Sequence, residues 1–225
     1  MLFRSNHLYR VGLNGRGRIR LSQEQGTHDP SFSAGFQYYI NQYSSISRPP
    51  VYSVHNADGA LLAVREDNQA LVDTLDAHGF VPPEFFSFTT DEGTELNGWM
   101  IRPPDFDPSE QYPVLMYVYG GPDSQTVLDR WNAGNGIWFQ HLARQGMVVV
   151  SVDNRGTGGR GELFRKMTYM QLGKYEAGDQ AAAARHLAAL PWIDGSRIGI
   201  FGWSYGGYLS LLSLANHADE FAAAI

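Results

Sequence analysis

The sequence has no cysteine, no excess of basic residues and no long apolar run. The lack of cysteine excludes disulfides, thiolate metal sites and cysteine nucleophiles, and it is compatible with any redox compartment. The formal net charge of −6 gives no basic field, so we expect no nucleic-acid partner. Because no apolar run approaches the roughly 18–20 residues that cross a bilayer, we also expect no transmembrane segment in this chain.

Motifs for metals and nucleotides are missing as well. The seven histidines are scattered, and none has the H-E-x-x-H spacing, so we expect no metal site. The dinucleotide spacing G-x-G-x-x-G occurs at residues 156–161, but polar residues separate it from the preceding apolar run. The sequence after it does not predict the helix and acidic strand end of such a site. No P-loop motif occurs, and we therefore expect no cofactor.

Residues 1–82 have the pattern of short β-strands separated by turns. The dipeptides Asn-Gly at 14–15 and Asp-Gly at 58–59 each lie between strand-like runs and predict β-hairpins, and FQYYINQYSS predicts a further strand. This pattern predicts an antiparallel all-β unit, for which blades of a β-propeller and a fragment of a β-sandwich are both compatible architectures. Prolines cluster from residue 82 onward, so we place a domain boundary near this residue.

Residues 83–225 form the second predicted domain, in which continuous apolar runs alternate with helical stretches. The runs PVLMYVYG, MVVVSVD and RIGIFG have the composition of strands that are covered on both faces. Helices are predicted for IWFQHLARQG and DQAAAARHLAAL, and two more strand-like pieces lie at 84–90 and 95–101. The alternation predicts an α/β fold with a parallel-rich sheet and flanking helices.

The stretch FGWSYGGY contains Gly202-x-Ser204-x-Gly206, the pattern of a nucleophile elbow. In such an elbow a tight turn from strand to helix lifts the serine oxygen clear of the sheet, and only small neighbours fit. The alternative is a glycine-rich turn with a structural serine. We favour the elbow, because an apolar strand precedes the motif and the helix-like sequence YLSLLSLA follows it.

An elbow also needs hydrogen-bond donors for the oxyanion of the tetrahedral intermediate. One donor is the amide of the residue after the nucleophile, here Tyr205. The second commonly comes from a loop after an earlier strand, and Tyr119 precedes a Gly-Gly pair at such a place. Its phenol could donate to an oxyanion, or Tyr119 could be an ordinary aromatic at a strand end. The residues alone leave both interpretations open.

The chain offers no suitable general base after Ser204. In α/β hydrolases the order is serine, acid, histidine, whereas His217 precedes Asp219 and lies on the helix that begins at the elbow. At 1.5 Å rise per residue its Cα would be roughly 18–20 Å from that of Ser204. The sequence then ends in EFAAAI, which predicts the beginning of a strand. We therefore expect a fragment that is inactive alone, with the acid and the base of the triad after Ile225.

Four motifs, in their order and spacing, resemble the dipeptidyl peptidase IV subfamily of the prolyl oligopeptidase family: VYGGPDSQ (118–125), VDNRGTGGRG (152–161), LGKYEAGDQ (172–180) and GWSYGGY (202–208). The stretches GTHDPSFS and YSSISRPP resemble the last propeller blade of that family. The resemblance implies an α/β hydrolase, truncated after the nucleophile helix, preceded by all-β strands from the last blade or blades of a β-propeller.

The resemblance also implies a function. Members release dipeptides, and in some cases tripeptides, after proline from peptides with a free N-terminus. By motif match Ser204 would be the nucleophile, the Tyr119 hydroxyl and the Tyr205 amide would form the oxyanion hole, and the Tyr205 side chain would line the proline pocket. The glutamates that bind the substrate amine would precede Met1. A homodimer and a periplasmic, secreted or membrane-associated parent protein are further implications.

Two other functions stay open at this point. The first is an acyl-peptide or ester hydrolase on the same fold, since a fold does not determine its chemistry. Trp203 and Tyr205, which flank the serine, argue against it. The second is a non-catalytic, propeller-bearing interaction protein. The intact elbow and Tyr119 argue against this, because a scaffold needs no oxyanion hole.

Overall fold

The computed structural model describes residues 4–225, and residues 1–3 of the predicted first domain lie outside the described residues. The chain divides into two compact units. The first comprises the chain up to Phe80 together with Leu128–Gly136, and the second comprises Val81–Val127 and Ile137–Ile225. Within residues 4–225, no helix combines the length and the apolar character needed to cross a membrane.

The first unit is built mainly from antiparallel strands. Its elements are β1 (Tyr9–Arg10), β2 (Ile19–Arg20), β3 (Thr27–Phe32), β4 (Tyr38–Ser45), β5 (Arg48–Asn56), β6 (Leu61–Glu66) and α1 (Gln69–Ala77). β1 pairs with β2, and β3, β4, β5 and β6 form an antiparallel meander in that order. These pairings confirm both predicted hairpins and the strand predicted at FQYYINQYSS. A four-stranded meander is the architecture of a propeller blade.

Two features of the first unit were not predicted. Helix α1 is a nine-residue helix with no buried residue, and no helix was predicted for this segment from the sequence. The segment Leu128–Gly136 packs with the strands of this unit although it follows β9 of the second unit. Asp129 anchors it, since its carboxylate accepts a hydrogen bond from the Ile46 amide at 2.9 Å and its carbonyl accepts one from the Thr27 hydroxyl at 2.9 Å.

The second unit is a sheet with flanking helices. Its elements are β7 (Glu84–Thr89), β8 (Glu95–Ile101), β9 (Tyr112–Tyr117), α2 (Gly136–Arg144), β10 (Val148–Asp153), α3 (Glu162–Lys166), α4 (Lys174–Ala188), β11 (Ile193–Phe201), α5 (Tyr205–Asn216) and β12 (Ala223–Ala224). Within the described residues the strand order is β12-β11-β9-β10-β8-β7. All six residues of β10 are buried, as expected for a strand that is covered on both faces.

This sheet is mixed. β12, β11, β9 and β10 run parallel to one another, so the predicted parallel strands are present within a mixed sheet rather than a parallel-rich one, and β12 is the strand expected at the end of the chain. β8 and β7 extend the sheet in antiparallel orientation beyond β10. The short connection at residues 90–94 accounts for the β7–β8 pair, because it allows a hairpin but not the crossover that a parallel pair requires.

Candidate active site

Ser204 occupies the turn between β11 and α5. It is the N-cap residue of α5 and has φ 57° and ψ −117°, in a region that side-chain-bearing residues seldom adopt. Such a backbone costs on the order of 1–3 kcal/mol and persists only where the surroundings hold it in place. The Ser204 side chain is exposed. The turn therefore presents the hydroxyl to solvent, which is what a nucleophile elbow requires.

Glycine is required for steric reasons at both positions that flank Ser204, Gly202 and Gly206. A Cβ at Gly206 would lie less than 3.0 Å from the Val118 carbonyl oxygen and 3.2 Å from the Tyr119 Cα. A Cβ at Gly202 would meet the same carbonyl and the backbone of Gly206 equally closely. The end of β11, the start of α5 and the chain after β9 are thus in backbone contact, and no side chain fits between them.

The loop after β9 brings Tyr119 to the start of α5. Tyr119 follows the last residue of β9 by two positions and is half-buried. An ideal Cβ on Gly121 would be 3.0 Å from the Tyr119 ring and 3.2 Å from the Tyr205 ring. Both rings therefore lie against Gly121, and the Tyr205 ring is carried by the residue next to Ser204. The structure brings the three sequence-predicted residues together.

The hydroxyls of the two tyrosines have different environments. The Tyr205 hydroxyl donates to the Glu176 carboxylate at 2.8 Å. Burial and this hydrogen bond raise the pKa of Tyr205 well above its usual value. The Tyr119 hydroxyl has no hydrogen-bond partner among residues 4–225. The Tyr119 proton is thus available to a ligand, whereas the Tyr205 proton is engaged inside the protein.

The Tyr205 amide is the other available donor. Tyr205 is the first residue of α5, and N–H groups in the first turn of a helix have no acceptor within the helix. The helix dipole adds positive potential at the same point. This amide and the Tyr119 hydroxyl can therefore stabilise negative charge beside Ser204.

Buried amides support the loop that carries Tyr119. The Asn154 side chain donates to the Gly120 carbonyl at 3.0 Å and to the Arg155 carbonyl at 2.7 Å. The Gln180 side chain donates to the Asn154 side chain and to the Val152 carbonyl, both at 3.0 Å. The end of β10 and helix α4 thereby fix the backbone beside Tyr119.

A buried ion pair connects the same two elements. The Arg155 guanidinium donates to the Asp179 carboxylate at 2.6 and 2.9 Å, and the Arg155 amide donates to it at 2.7 Å. Glu92 accepts a further hydrogen bond at 2.6 Å, and the Tyr175 ring lies 4.6 Å from the guanidinium. Burial opposes the charge of Arg155, but the hydrogen bonds and charge of Asp179 outweigh it and raise the pKa of the guanidinium.

Sequence reasoning missed the supporting residues Glu176, Arg155 and Asp179. They lie in the motifs at 152–161 and 172–180, whose parts in the site the residues alone did not indicate. One pattern could have identified Glu176. It follows Gly173, the N-cap of α4, by three positions and accepts a hydrogen bond from the Gly173 amide at 2.9 Å, which is half of a capping box.

No described residue acts as a base for Ser204. Among residues 4–225, no side chain hydrogen-bonds the Ser204 hydroxyl. His217 is the C-cap residue of α5, at the opposite end of the 12-residue helix from Ser204. The described residues thus provide the elbow and the donors around it but not the proton acceptor.

Comparisons with known families agree with this arrangement. The model of the prolyl oligopeptidase family matches residues 137–225, and the model of the dipeptidyl peptidase IV N-terminal region matches residues 4–50. The probable dipeptidyl-aminopeptidase B of Emericella nidulans is 40% identical over 220 residues, which are 95% of this chain and 24% of that protein. Human dipeptidyl peptidase 8 is 34% identical over 232 residues, covering 98% of this chain and 25% of that protein.

Solved structures are similar over nearly the whole chain. The crystal structure of Porphyromonas gingivalis dipeptidyl peptidase 4 has a TM-score of 0.91 at 48% identity and covers 96% of this chain and 30% of that chain. A putative dipeptidyl aminopeptidase IV from Bacteroides ovatus has a TM-score of 0.83 at 29% identity, with 95% and 30% covered.

The chain thus spans about a quarter of the length of the curated relatives that it matches. The matches confirm the predicted fold class, the end of a β-propeller followed by the start of an α/β hydrolase. The chain belongs to the prolyl oligopeptidase family and is similar to its dipeptidyl peptidase IV members.

Proposed function

We propose that this chain supplies the nucleophile, the oxyanion hole and part of the proline pocket of a serine exopeptidase. The full-length protein would release dipeptides, or tripeptides, after proline from peptides with a free N-terminus. The observation that carries the proposal is the strained, exposed Ser204 beside the unpartnered hydroxyl of Tyr119. The similar proteins described above are dipeptidyl peptidases, which supports the substrate class.

The reaction would begin with attack of the Ser204 hydroxyl oxygen on the scissile carbonyl carbon. The serine proton passes to a general base that residues 4–225 do not supply. The carbonyl oxygen becomes an oxyanion, which accepts hydrogen bonds from the Tyr119 hydroxyl and the Tyr205 amide. Collapse of this intermediate breaks the C–N bond and releases the amine after it receives a proton. Water then hydrolyses the acyl-serine ester and regenerates Ser204.

The Tyr205 ring would form one wall of the pocket for proline. Its hydroxyl donates to Glu176, so the substrate would meet the carbon face of the ring rather than a polar group. An apolar wall next to the nucleophile is suited to the compact, apolar proline ring.

A homodimer of the full-length protein is a separate expectation from the family resemblance, and the mass of the protein in solution would test it.

The substrate class can be tested with a pair of chromogenic amides. We expect the full-length protein to hydrolyse a glycyl-prolyl amide with a free amino group and not its N-acylated analogue. Ser204→Ala serves as the control without a nucleophile. Cleavage of both amides would contradict exopeptidase action. Cleavage of a short-chain ester alone would contradict the peptidase proposal and favour a general hydrolase.

The role of Tyr119 has its own expected result. Replacing Tyr119 with phenylalanine removes one of two oxyanion donors and is expected to lower kcat by about 10²–10³-fold, with little change in KM. Steady-state kinetics with the glycyl-prolyl amide would measure the loss. Tyr112→Phe, on the strand that precedes Tyr119, is the matched control, because the Tyr112 hydroxyl accepts a hydrogen bond from the Asp107 amide. An unchanged kcat for Tyr119→Phe would exclude the hydroxyl from the oxyanion hole.

A further inference from the structure

A buried carboxylate lies directly behind the proposed proline pocket. Glu176, in the first turn of α4, has no solvent exposure. One of its oxygens accepts a hydrogen bond from the Gly173 amide at 2.9 Å, and the other accepts one from the Tyr205 hydroxyl at 2.8 Å. Two donors on two oxygens is the hydrogen-bonding pattern of an ionised carboxylate.

This carboxylate has no basic partner. Among the described residues, no lysine, arginine or histidine forms an ion pair with Glu176. Its charge is stabilised by the Gly173 amide, the Tyr205 hydroxyl and the N-terminus of α4. Burying a carboxylate is costly without such partners. Helix capping alone does not account for the arrangement, because only one of the two oxygens faces the amide of α4.

The Tyr205 ring is held on three sides. Glu176 fixes the hydroxyl end. The Tyr208 ring meets the Tyr205 ring edge-on, with centroids 5.3 Å apart. Gly121 lies against the part of the ring nearest its Cβ. Tyr208 is in turn seated on Gly173, where a Cβ would overlap the Tyr208 hydroxyl oxygen. Of these contacts, only the one from Glu176 fixes the direction of the hydroxyl.

Resting on the function proposed above, we propose that Glu176 is a positioning residue for substrate selectivity. It holds the Tyr205 ring as a fixed apolar wall and takes up the hydrogen-bonding capacity of the phenol proton. Preference for proline over an acyclic residue at the cleavage position then depends on Glu176. A proline ring packs along a flat wall, so its binding is sensitive to the ring position. An alanine methyl group covers little of that wall and is less sensitive.

Glu176→Gln changes this hydrogen bond with almost no change in volume. The glutamine oxygen can accept from the Gly173 amide, and its NH₂ group can donate to the Tyr205 oxygen. The phenol proton is then released and is free to point into the pocket. The substitution thus alters the polarity of the wall and the orientation of the phenol, while the Gly173 amide and the Tyr205 oxygen each keep a hydrogen-bond partner.

The test is the ratio of kcat/KM for a glycyl-prolyl amide to that for a glycyl-alanyl amide. In the full-length protein, Glu176→Gln is expected to lower this ratio by about tenfold, the effect of losing one charge-assisted hydrogen bond. A role in folding alone would reduce the amount of active protein and leave the ratio unchanged. Glu162→Gln is the matched control, since the Glu162 side chain is 66% exposed and pairs with Lys166.

Tyr205→Phe removes the donor of the same hydrogen bond and leaves Glu176 unchanged. It is expected to lower the ratio as well, and the double variant should lower it no further than the larger single effect, because both changes remove one interaction. A ratio unchanged in both single variants, with a wild type that cleaves the prolyl amide, overturns the inference alone. A wild type that cleaves neither amide overturns the proposed function and the inference with it.

Discussion

Replacement of Ser204 by alanine is expected to reduce kcat for the glycyl-prolyl amide by about 10⁶-fold in the full-length protein. The hydroxyl oxygen is the atom that forms the acyl-enzyme, and no neighbouring group stands in for it. The oxyanion donors stay in place, so a small residual rate above the uncatalysed reaction should persist. Pre-steady-state and steady-state measurements of amide release would determine both rates. Activity within tenfold of the wild type would exclude Ser204 as the nucleophile.

A glycine at the same position separates chemistry from backbone strain. Ser204 has φ 57° and ψ −117°, and alanine would carry the same strain. Ser204→Ala should therefore leave stability unchanged to within about 0.5 kcal/mol. Ser204→Gly removes the strain and should gain about 1 kcal/mol, after part of the benefit is offset by the larger entropy of glycine in the unfolded chain. Both variants should be inactive, and only glycine should raise the midpoint of thermal unfolding.

Gly206→Ala is expected to be the most damaging single-methyl change in the site. Its Cβ would lie within 3.0 Å of the Val118 carbonyl oxygen, and a backbone oxygen cannot move aside as a flexible side chain can. We expect a loss of more than about 4 kcal/mol in the free energy of unfolding, or no folded protein. Circular dichroism during thermal unfolding, together with soluble yield, would measure it.

Gly178→Ala is the matched control for that change. Gly178 lies inside α4, and a Cβ there meets no atom within 4 Å. Alanine is preferred over glycine in a helix interior by about 0.5–1 kcal/mol, so this variant should be as stable as the wild type or more stable. Equal stability of Gly206→Ala and Gly178→Ala would contradict the close backbone packing at the elbow.

Much of the second unit follows from local sequence. Strand β10 is a continuous apolar run because it is covered on both faces, and shorter apolar runs mark β9 and the second half of β11. These patterns are visible without tertiary information. The elbow was predictable for a related reason. Gly202 and Gly206 are glycines because the backbone just after β9 lies against them, so the sequence motif reflects a tertiary contact.

The supporting interactions were not predictable in the same way. The hydrogen bond from Tyr205 to Glu176 joins residues 29 positions apart, and the ion pair of Arg155 with Asp179 joins residues 24 positions apart. Each depends on how α4 packs against neighbouring elements, and a single sequence carries no periodicity that encodes such pairs. The antiparallel edge of the sheet was not predicted, because β8 joins the sheet by pairing with β10. β9 lies between these two strands in the chain, so local sequence does not indicate the pairing.

The position of residues 128–136 has a consequence for recombining this chain with its relatives. The buried Asp129 supplies acceptors to Thr27 and Ile46, and the Trp131 ring lies 5.5 Å from the Phe80 ring. A graft that exchanged only the chain up to Phe80 would pair the new strands with an anchor segment selected for the old ones. The first unit is therefore discontinuous in sequence, and a chimaera that preserves it must exchange residues 128–136 together with the strands.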